Sequence, residues 1–133
     1  MTDLFDSFDL GGLRLPNRIA MSAMTRTRAT EDGVPTDVMR DYYVQRASAG
    51  LIVTECTQVS DQAHGIIRAP GIHRPDQIAA WREITDAVHV AAGRIGQRMA
   101  FDVQGEALEP QYFVRSAGPA PILRHRCRPS FAL

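Results

Sequence analysis

A chain of 133 residues can form one small domain with a real core and leaves no room for two. It falls short of the roughly 250 residues that a closed eight-stranded α/β barrel takes. With 15 Lys+Arg against 15 Asp+Glu the formal charge is zero, which removes the electrostatic case for a nucleic-acid or anionic-membrane partner.

All the cations are arginine, so lysine Schiff-base and P-loop chemistry are excluded as well. Cys56 and Cys127 lie far apart with no second Cys or His at ligand spacing, and His64, His73, His89 and His125 are scattered, which argues against a metal site. No apolar run approaches the about eighteen residues of a membrane span. The first residues, Met1-Thr2-Asp3-Leu4-Phe5-Asp6, are acidic where a signal peptide is basic, so a cytoplasmic, soluble protein is expected.

In chain order, residues 4–16 alternate weakly around Gly11-Gly12 and predict a hairpin: Ser7-Phe8-Asp9-Leu10, a turn, then Leu13-Arg14-Leu15. Arg18-Ile19-Ala20-Met21-Ser22-Ala23 is the first candidate core strand, with Ile19, Met21 and Ala23 on one side; it runs into the polar Met24-Thr25-Arg26-Thr27-Arg28. Glu31-Asp32-Gly33-Val34-Pro35 reads as a turn, and Thr36 as the N-cap of a helix with Asp37 in its first turn. That helix sets Met39, Tyr42, Tyr43 and Ala47 on one face and is expected to close at Gly50 as its left-handed C′ residue.

The run Leu51-Ile52-Val53-Thr54-Glu55-Cys56-Thr57 is apolar without alternation, the pattern of a parallel strand covered on both faces, and it ends abruptly in polar residues. In parallel α/β folds ligands meet the protein where such strands end, which makes Thr54, Glu55, Cys56 and Thr57 the first candidates for a site. Pattern alone favours the plainer reading, in which Glu55 is a strand-end carboxylate and Cys56 a small buried residue. Residues 60–71 read as loop. Pro75 suits the first turn of a second helix, Asp76 its dipole, and Ile78, Trp81, Ile84, Val88 and Ala91 its buried side, with Gly93 closing it. Arg94-Ile95 starts a third strand. From residue 96 onward no strand or helix period is evident, and Arg115, Arg124, Arg126 and Arg128 crowd the end, so this part is expected to be irregular or poorly ordered. The order is a hairpin followed by two βα units of a parallel sheet.

Several stretches together resemble one family, the flavin-dependent ene-reductases of the old yellow enzyme group. They are Leu15-Pro16-Asn17-Arg18-Ile19, Met24-Thr25-Arg26-Thr27-Arg28-Ala29, Gly33-Val34-Pro35, Tyr42-Tyr43-x-Gln45-Arg46-Ala47-Ser48-Ala49-Gly50-Leu51-Ile52-x-Thr54-Glu55, Pro70-Gly71-Ile72-His73 and Gln77-Ile78-x-x-Trp81, spread over residues 4–95. The resemblance implies the N-terminal portion of a (β/α)8 barrel, with residues 1–95 a partial FMN-binding domain and residues 96–133 a divergent tail. It implies FMN bound noncovalently at the strand ends, NAD(P)H as reductant, and hydride delivery to an alkene conjugated to a carbonyl or nitro group. Carried over position by position, Ala23, Met24 and Thr25 lie against the isoalloxazine, with the Thr25 hydroxyl at its O4 and N5 edge, and Cys56 lies beside that edge.

Four departures stand beside these matches. Ser22-Ala23 replaces the family's usual Ala-Pro, Cys56 a usual Ala or Gly, and Ile66 a pocket tyrosine common in the family. After Ile95 the family's strand ends Gln-Leu-Trp-His, whereas this chain reads Gly96-Gln97-Arg98-Met99-Ala100-Phe101, with Gln97 one place early. The family's substrate-gripping His pair, proton-donating tyrosine and phosphate-binding arginines have no counterparts here, so no residue is assigned as catalytic.

Such a chain supplies about three of eight barrel strands, leaving apolar edges through which it is expected to self-associate. A truncated gene or a shifted reading frame is the expected origin of the tail, one hint being that codons for Met99-Ala100 can read Trp-His in another frame. Two expectations therefore compete: an FMN-dependent oxidoreductase acting on small enone-type substrates, and a non-catalytic fragment. For the other distinctive residues packing is the simpler role: Trp81 on a helix face, Tyr42 and Tyr43 on one helix, and Gly11-Gly12 as a turn rather than an anion cradle. His64 and His73 fall on loops near the expected active face.

Overall fold

The computed structural model describes residues 2–63, 65–99, 112–115 and 123–125, with side chains placed up to residue 97. His64, Cys127, Arg126 and Arg128 lie outside the described residues, as do the side chains of Arg115, Arg124 and His125.

Strands β1 (Phe8–Leu10) and β2 (Leu13–Leu15) form the expected antiparallel hairpin. Gly11 (φ 59°) and Gly12 (φ 94°) both take positive φ, which a two-residue hairpin turn needs and which glycine adopts without a Cβ clash. The Gly12 N–H also donates to Asp9 Oδ1 at 2.8 Å. Leu13 and Leu15 are buried, whereas Phe8 and Leu10 remain exposed.

The first core strand is shorter than its sequence suggests. Only β3 (Ala20–Met21) pairs, in parallel, with the start of β4 (Leu51–Thr57), through Ala20 with Leu51 and Met21 with Ile52. Backbone partners outside the sheet limit it: Arg18 N–H goes to Leu4 O (2.8 Å) and Ile19 N–H to Asn17 Oδ1 (3.1 Å). Ile19 is consequently 41% exposed rather than part of the core.

Helix α1 (Asp37–Val44) begins after Thr36, whose backbone is extended as an N-cap's should be. The Thr36 hydroxyl does not cap the helix, however; it donates to Arg28 O at 2.8 Å and ties the preceding loop to the helix start. Helical geometry ends at Gln45, and a turn runs on to the next strand. Gly50 is not a left-handed cap. A Cβ there would stand 2.2 Å from the Asn17 carbonyl oxygen, so glycine is required by close approach of two backbones. Asn17 Nδ2 reinforces the contact by donating to Ser48 O at 2.9 Å.

Helix α2 (Pro75–Val90) has Pro at its first position, and its buried side is Gln77, Trp81, Ile84 and Val88; Ile78 is half-buried and Ala91 exposed. Its left-handed residue is Ala92 (φ 61°), not Gly93. At Gly93 a Cβ would come within 2.7 Å of Val88 Cγ1 and 3.0 Å of Ala47 Cβ, so this glycine too serves packing.

The five-stranded sheet runs β3-β4-β5-β6-β7, with β5 (Ile95–Met99) parallel to β4, then β6 (Tyr112–Arg115) and β7 (Leu123–His125) antiparallel. The sequence showed no strand period after residue 96. Strands of three to five residues carry too few positions for a period to register, and these are defined by pairing across the sheet. The two helices pack on each other and α2 on β5, and the core they share with the sheet holds Met39, Tyr43, Ala47, Ile52, Trp81, Ile84, Val88 and Ile95. On β4, Ile52 is buried whereas Leu51, Val53 and Cys56 are half-buried, so among the described residues only the helix side is fully covered.

Candidate functional site

β3 pairs with the start of β4, and a buried carboxylate near the C-terminal end of β4 reaches the segment that follows β3. From Val53 to Cys56 on β4 the pairing partners advance only from Gly96 to Arg98 on β5, so β4 carries one extra residue. This bulge leaves neighbours Thr54 and Glu55 both buried, each 1% exposed.

A charge in such a place must be hydrogen-bonded, because stripping its water costs far more than a single contact returns. Glu55 Oε2 accepts the Arg26 N–H at 3.0 Å, and Oε1 accepts the Tyr43 hydroxyl at 3.3 Å. Tyr43 also receives: the Glu55 N–H donates to its oxygen at 3.0 Å. One phenol on α1 thus fixes both ends of the glutamate, and the glutamate fixes the loop that leaves β3.

Burial pushes the Glu55 carboxyl above the ordinary carboxylate range, against the opposing pull of the Arg26 amide, the Tyr43 hydroxyl and the Thr27 amide. Burial likewise raises the Tyr43 phenol, further assisted by the negative charge of Glu55. At neutral pH Tyr43 keeps its proton and donates it.

The loop held this way carries the residues singled out by sequence. Ala23 is half-buried, Met24 is 44% exposed and Thr25 is exposed, with no hydrogen bond to its side chain among the described residues. Thr27 takes φ 53°, an uncommon conformation for a β-branched residue, directly after the amide that Glu55 grips. Cys56 is a free, half-buried cysteine on the adjacent strand. Ala23, Met24 and Thr25 therefore follow the end of β3, and Cys56 lies near the end of the adjacent β4.

Gln97 is placed differently. It shares the strand face of buried Ile95 and lines, with Trp81 and Thr85 of α2, a cavity of about 180 Å³ on the helix side. A displacement of one residue along a strand moves a side chain to the opposite face, which is the consequence of its standing one place early. Its Nε2 is buried without a hydrogen-bond partner among the described residues.

The loop after β4 is closed at its base by Gln58 N–H to Pro70 O (2.8 Å) and Ile72 N–H to Gln58 O (2.9 Å). His73 belongs to this framework: its Nε2 lies 2.9 Å from Asp61 Oδ1, and its Nδ1 3.4 Å from Gln58 O. Ile66 is 44% exposed on the same loop. Gln77, buried on α2, joins the two loops; its Oε1 accepts His73 N–H (3.1 Å) and Arg74 N–H (3.2 Å), and its Nε2 donates to Asp32 O (3.0 Å).

Sequence reasoning passed over Glu55, Tyr43 and Gln77 as positioning groups. A glutamate inside an apolar run was the available signal, since a buried strand cannot leave it unpaired. Its partner Tyr43 lies across a helix-to-strand connection, which no local period reveals. Among the described residues no cluster of three or more His, Cys, Asp or Glu could hold a metal, and no helix is long and apolar enough to cross a membrane.

The sequence profile of the NADH:flavin oxidoreductase / NADH oxidase family matches residues 3–122, beyond the residue 95 at which the sequence motifs stop. A chanoclavine-I aldehyde reductase from Penicillium roqueforti is 50% identical over 97 residues, 71% of this chain and 26% of that protein. A probable flavin mononucleotide-dependent alkene reductase from Leishmania infantum is 36% identical over 128 residues, 92% of this chain and 34% of that protein. The solved old yellow enzyme homologue from Zymomonas mobilis superposes with a TM-score of 0.72 at 47% identity, covering 74% of this chain and 28% of the other. The chain thus spans about a quarter to a third of the curated relatives it matches, and its open sheet corresponds to the N-terminal portion of their α/β barrel. By the residues matched, the identity and the shared fold, this chain belongs to the NADH:flavin oxidoreductase / NADH oxidase family, among the old yellow enzymes.

Proposed function

We propose that this polypeptide contributes the first strand ends of an FMN site in an oxidoreductase that reduces activated C=C bonds, in α,β-unsaturated carbonyl or nitro compounds, with NAD(P)H. The observation that carries the reading is the exposed Thr25 hydroxyl, unpartnered among the described residues, on a loop whose backbone is anchored by a buried carboxylate. This donor set fits the polar edge of a flavin: a hydroxyl free to donate, flanked by the small Ala23 and the apolar Met24, with Cys56 on the next strand. Bound FMN would supply the hydride chemistry between nicotinamide and alkene.

The chain's own part is to bind and orient. Thr25 offers its hydroxyl where negative charge develops on a reduced ring, which favours the charged form when the donor is held in place beforehand. Ala23 and Met24 cover apolar ring surface and exclude water there. Cys56 gives a small, weakly polar neighbour that leaves room for the ring edge. Residues 1–95 carry these groups, and the divergent residues 96–133 carry no assigned site.

A second reading is favoured by Gln97: its side chain lies on the helix side, away from the open face, so a pyrimidine-edge contact from this strand is lost. In that reading the chain is non-catalytic and holds FMN weakly, its uncovered strands serving self-association.

Titrating the purified chain with FMN while following flavin fluorescence and visible absorbance tests both. Saturable quenching, weakened by Thr25→Ala, supports the site. Subsequent NAD(P)H oxidation with 2-cyclohexen-1-one supports turnover, and quenching without oxidation selects the second reading. Unquenched flavin at all protein concentrations rejects the site.

A further inference from the structure

We infer that Glu55 and Tyr43 are positioning residues for the flavin-edge loop, residues 22–28, and that they set the placement of Thr25 without touching a ligand themselves. This rests on the FMN reading above for its functional meaning, whereas the anchoring of the loop stands on the geometry alone.

The loop leaves β3 after only two paired residues, so the sheet does little to fix it. Thr25 is the residue immediately before the amide that Glu55 Oε2 accepts at 3.0 Å, and Thr27, the residue after, is held at φ 53°. The hold of Glu55 on the Arg26 amide, joined by the Thr27 amide, therefore governs the peptide planes that follow the Thr25 side chain.

Glu55 can hold that amide firmly because it has little freedom of its own. Its N–H is bound to the Tyr43 oxygen at 3.0 Å, its Oε1 takes the Tyr43 hydroxyl at 3.3 Å, and the whole residue is 1% exposed. Tyr43 in turn is 1% exposed, sits on α1 and packs near Trp81 of α2, with ring centroids 6.1 Å apart. A continuous chain of contacts thus runs from the helical layer through α1 and the end of β4 to the tip of the β3 loop. The groups facing Glu55 are Arg26 and Arg28 from the loop and Met39, Tyr42 and Tyr43 from α1. Arg26 supplies positive charge near the carboxylate, whereas its direct partners are the Arg26 and Thr27 amides and the Tyr43 phenol.

The test compares the full chain with Glu55→Gln, Tyr43→Phe and, as a core change remote from the loop, Ile84→Val. Amide hydrogen exchange is read without FMN, and flavin binding separately. In Glu55→Gln exchange at Arg26 and Thr27 should accelerate on the order of tenfold, with the amides of Ile84 and Val88 unchanged. Tyr43→Phe, which keeps the ring and loses both hydroxyl contacts, should accelerate the same two amides by a smaller factor.

With FMN present, both variants should weaken quenching and shift the flavin absorbance band relative to wild type, and Ile84→Val should do neither. Unchanged exchange at Arg26 and Thr27 overturns the inference, and so does acceleration spread equally over Ile84 and Val88, which would mark mere loss of structure. Should Glu55→Gln fail to fold, Tyr43→Phe decides by the same criteria. If the loop amides respond as expected but wild type quenches no flavin, it is the FMN reading that fails, and the anchoring of the loop by Glu55 remains.

Discussion

The two loops that leave the C-terminal ends of β3 and β4 are ordered in opposite ways. The first is held from outside, by the carboxylate of Glu55 on its Arg26 amide, by Arg68 O on its Ala29 amide (3.2 Å) and by Gln77 Nε2 on its Asp32 carbonyl. The second is closed at its base by backbone bonds and is further held by its own side chains and those of the helix it enters: Gln58 Nε2 on Ile66 O, His73 against Asp61, and Gln77 on the His73 and Arg74 amides. A loop anchored through its backbone keeps its side chains free to meet a ligand, and a loop anchored through its side chains does not. Ala23, Met24 and Thr25 are on the first kind, and the second is mainly scaffold.

Removing the anchor common to the core and the second loop should have the largest effect. Trp81 is 3% exposed, packs beside Tyr43, and donates from Nε1 to Gly71 O at 3.0 Å. Trp81→Ala should cost about 3–5 kcal/mol in urea unfolding, while Trp81→Phe, which retains most of the volume, should lose mainly the bond to Gly71 and cost about 1–3 kcal/mol. Equal losses for the two would show that the second loop depends on the hydrogen bond and not on packing.

Gln77 touches both loops and comes next. Gln77→Ala strands the His73 and Arg74 amides and the Asp32 carbonyl, for an expected loss of about 1–3 kcal/mol. Hydrogen exchange should quicken at His73 and Arg74, while Arg26, anchored elsewhere, stays protected. Loss of protection at Arg26 as well would mean that the two loops are ordered as one unit.

The anchor of the first loop should announce itself through pH. The Glu55 carboxyl titrates above its unfolded value because burial outweighs its hydrogen bonds. The folded state therefore binds this proton more tightly than the unfolded chain does. The corresponding stability is present below the ordinary carboxylate range and is lost as pH rises through the elevated value, after which the curve is flat. Urea midpoints measured from acid to neutral pH should show this fall in wild type and not in Glu55→Gln. A fall of equal size in both would assign it to another group.

Much of this frame can be read in the residues. Gly11-Gly12 between short alternating runs specifies the hairpin, and the apolar steps of Trp81, Ile84 and Val88 specify the buried side of α2. The motifs from Tyr42 to Glu55 and from Met24 to Ala29 fix the family and place Ala23, Met24 and Thr25 after the end of β3 and Cys56 near the end of β4. What stays hidden is contact made at a distance. Gly50 and Gly93 look like helix caps, because the Asn17 carbonyl and the Val88 and Ala47 side chains that exclude a Cβ come from remote or folded-back positions. The β4 bulge beside Glu55 cannot be read from the run Leu51–Thr57 itself, although the glutamate there signals a buried partner, and strands as short as β6 and β7 exist only by virtue of their neighbours.

The weakest link in the scaffold loop should be the contact between His73 and Asp61. The imidazole side is sheltered, its side chain 13% exposed, but the Asp61 side chain is 85% exposed, so water competes for the carboxylate throughout. Exposed pairs of this kind contribute about 0–1 kcal/mol, and Asp61→Asn should fall within that range, with flavin quenching by the first loop unaffected. His73→Ala removes more, since the ring also lies against Gln58 O at the base of the loop, and its effect should exceed that of Asp61→Asn. The difference between the two variants measures how far the ring serves as packing rather than as a partner in charge. If Asp61→Asn alone abolished flavin quenching, the division between a presenting loop and a scaffold loop would fail at its most exposed point.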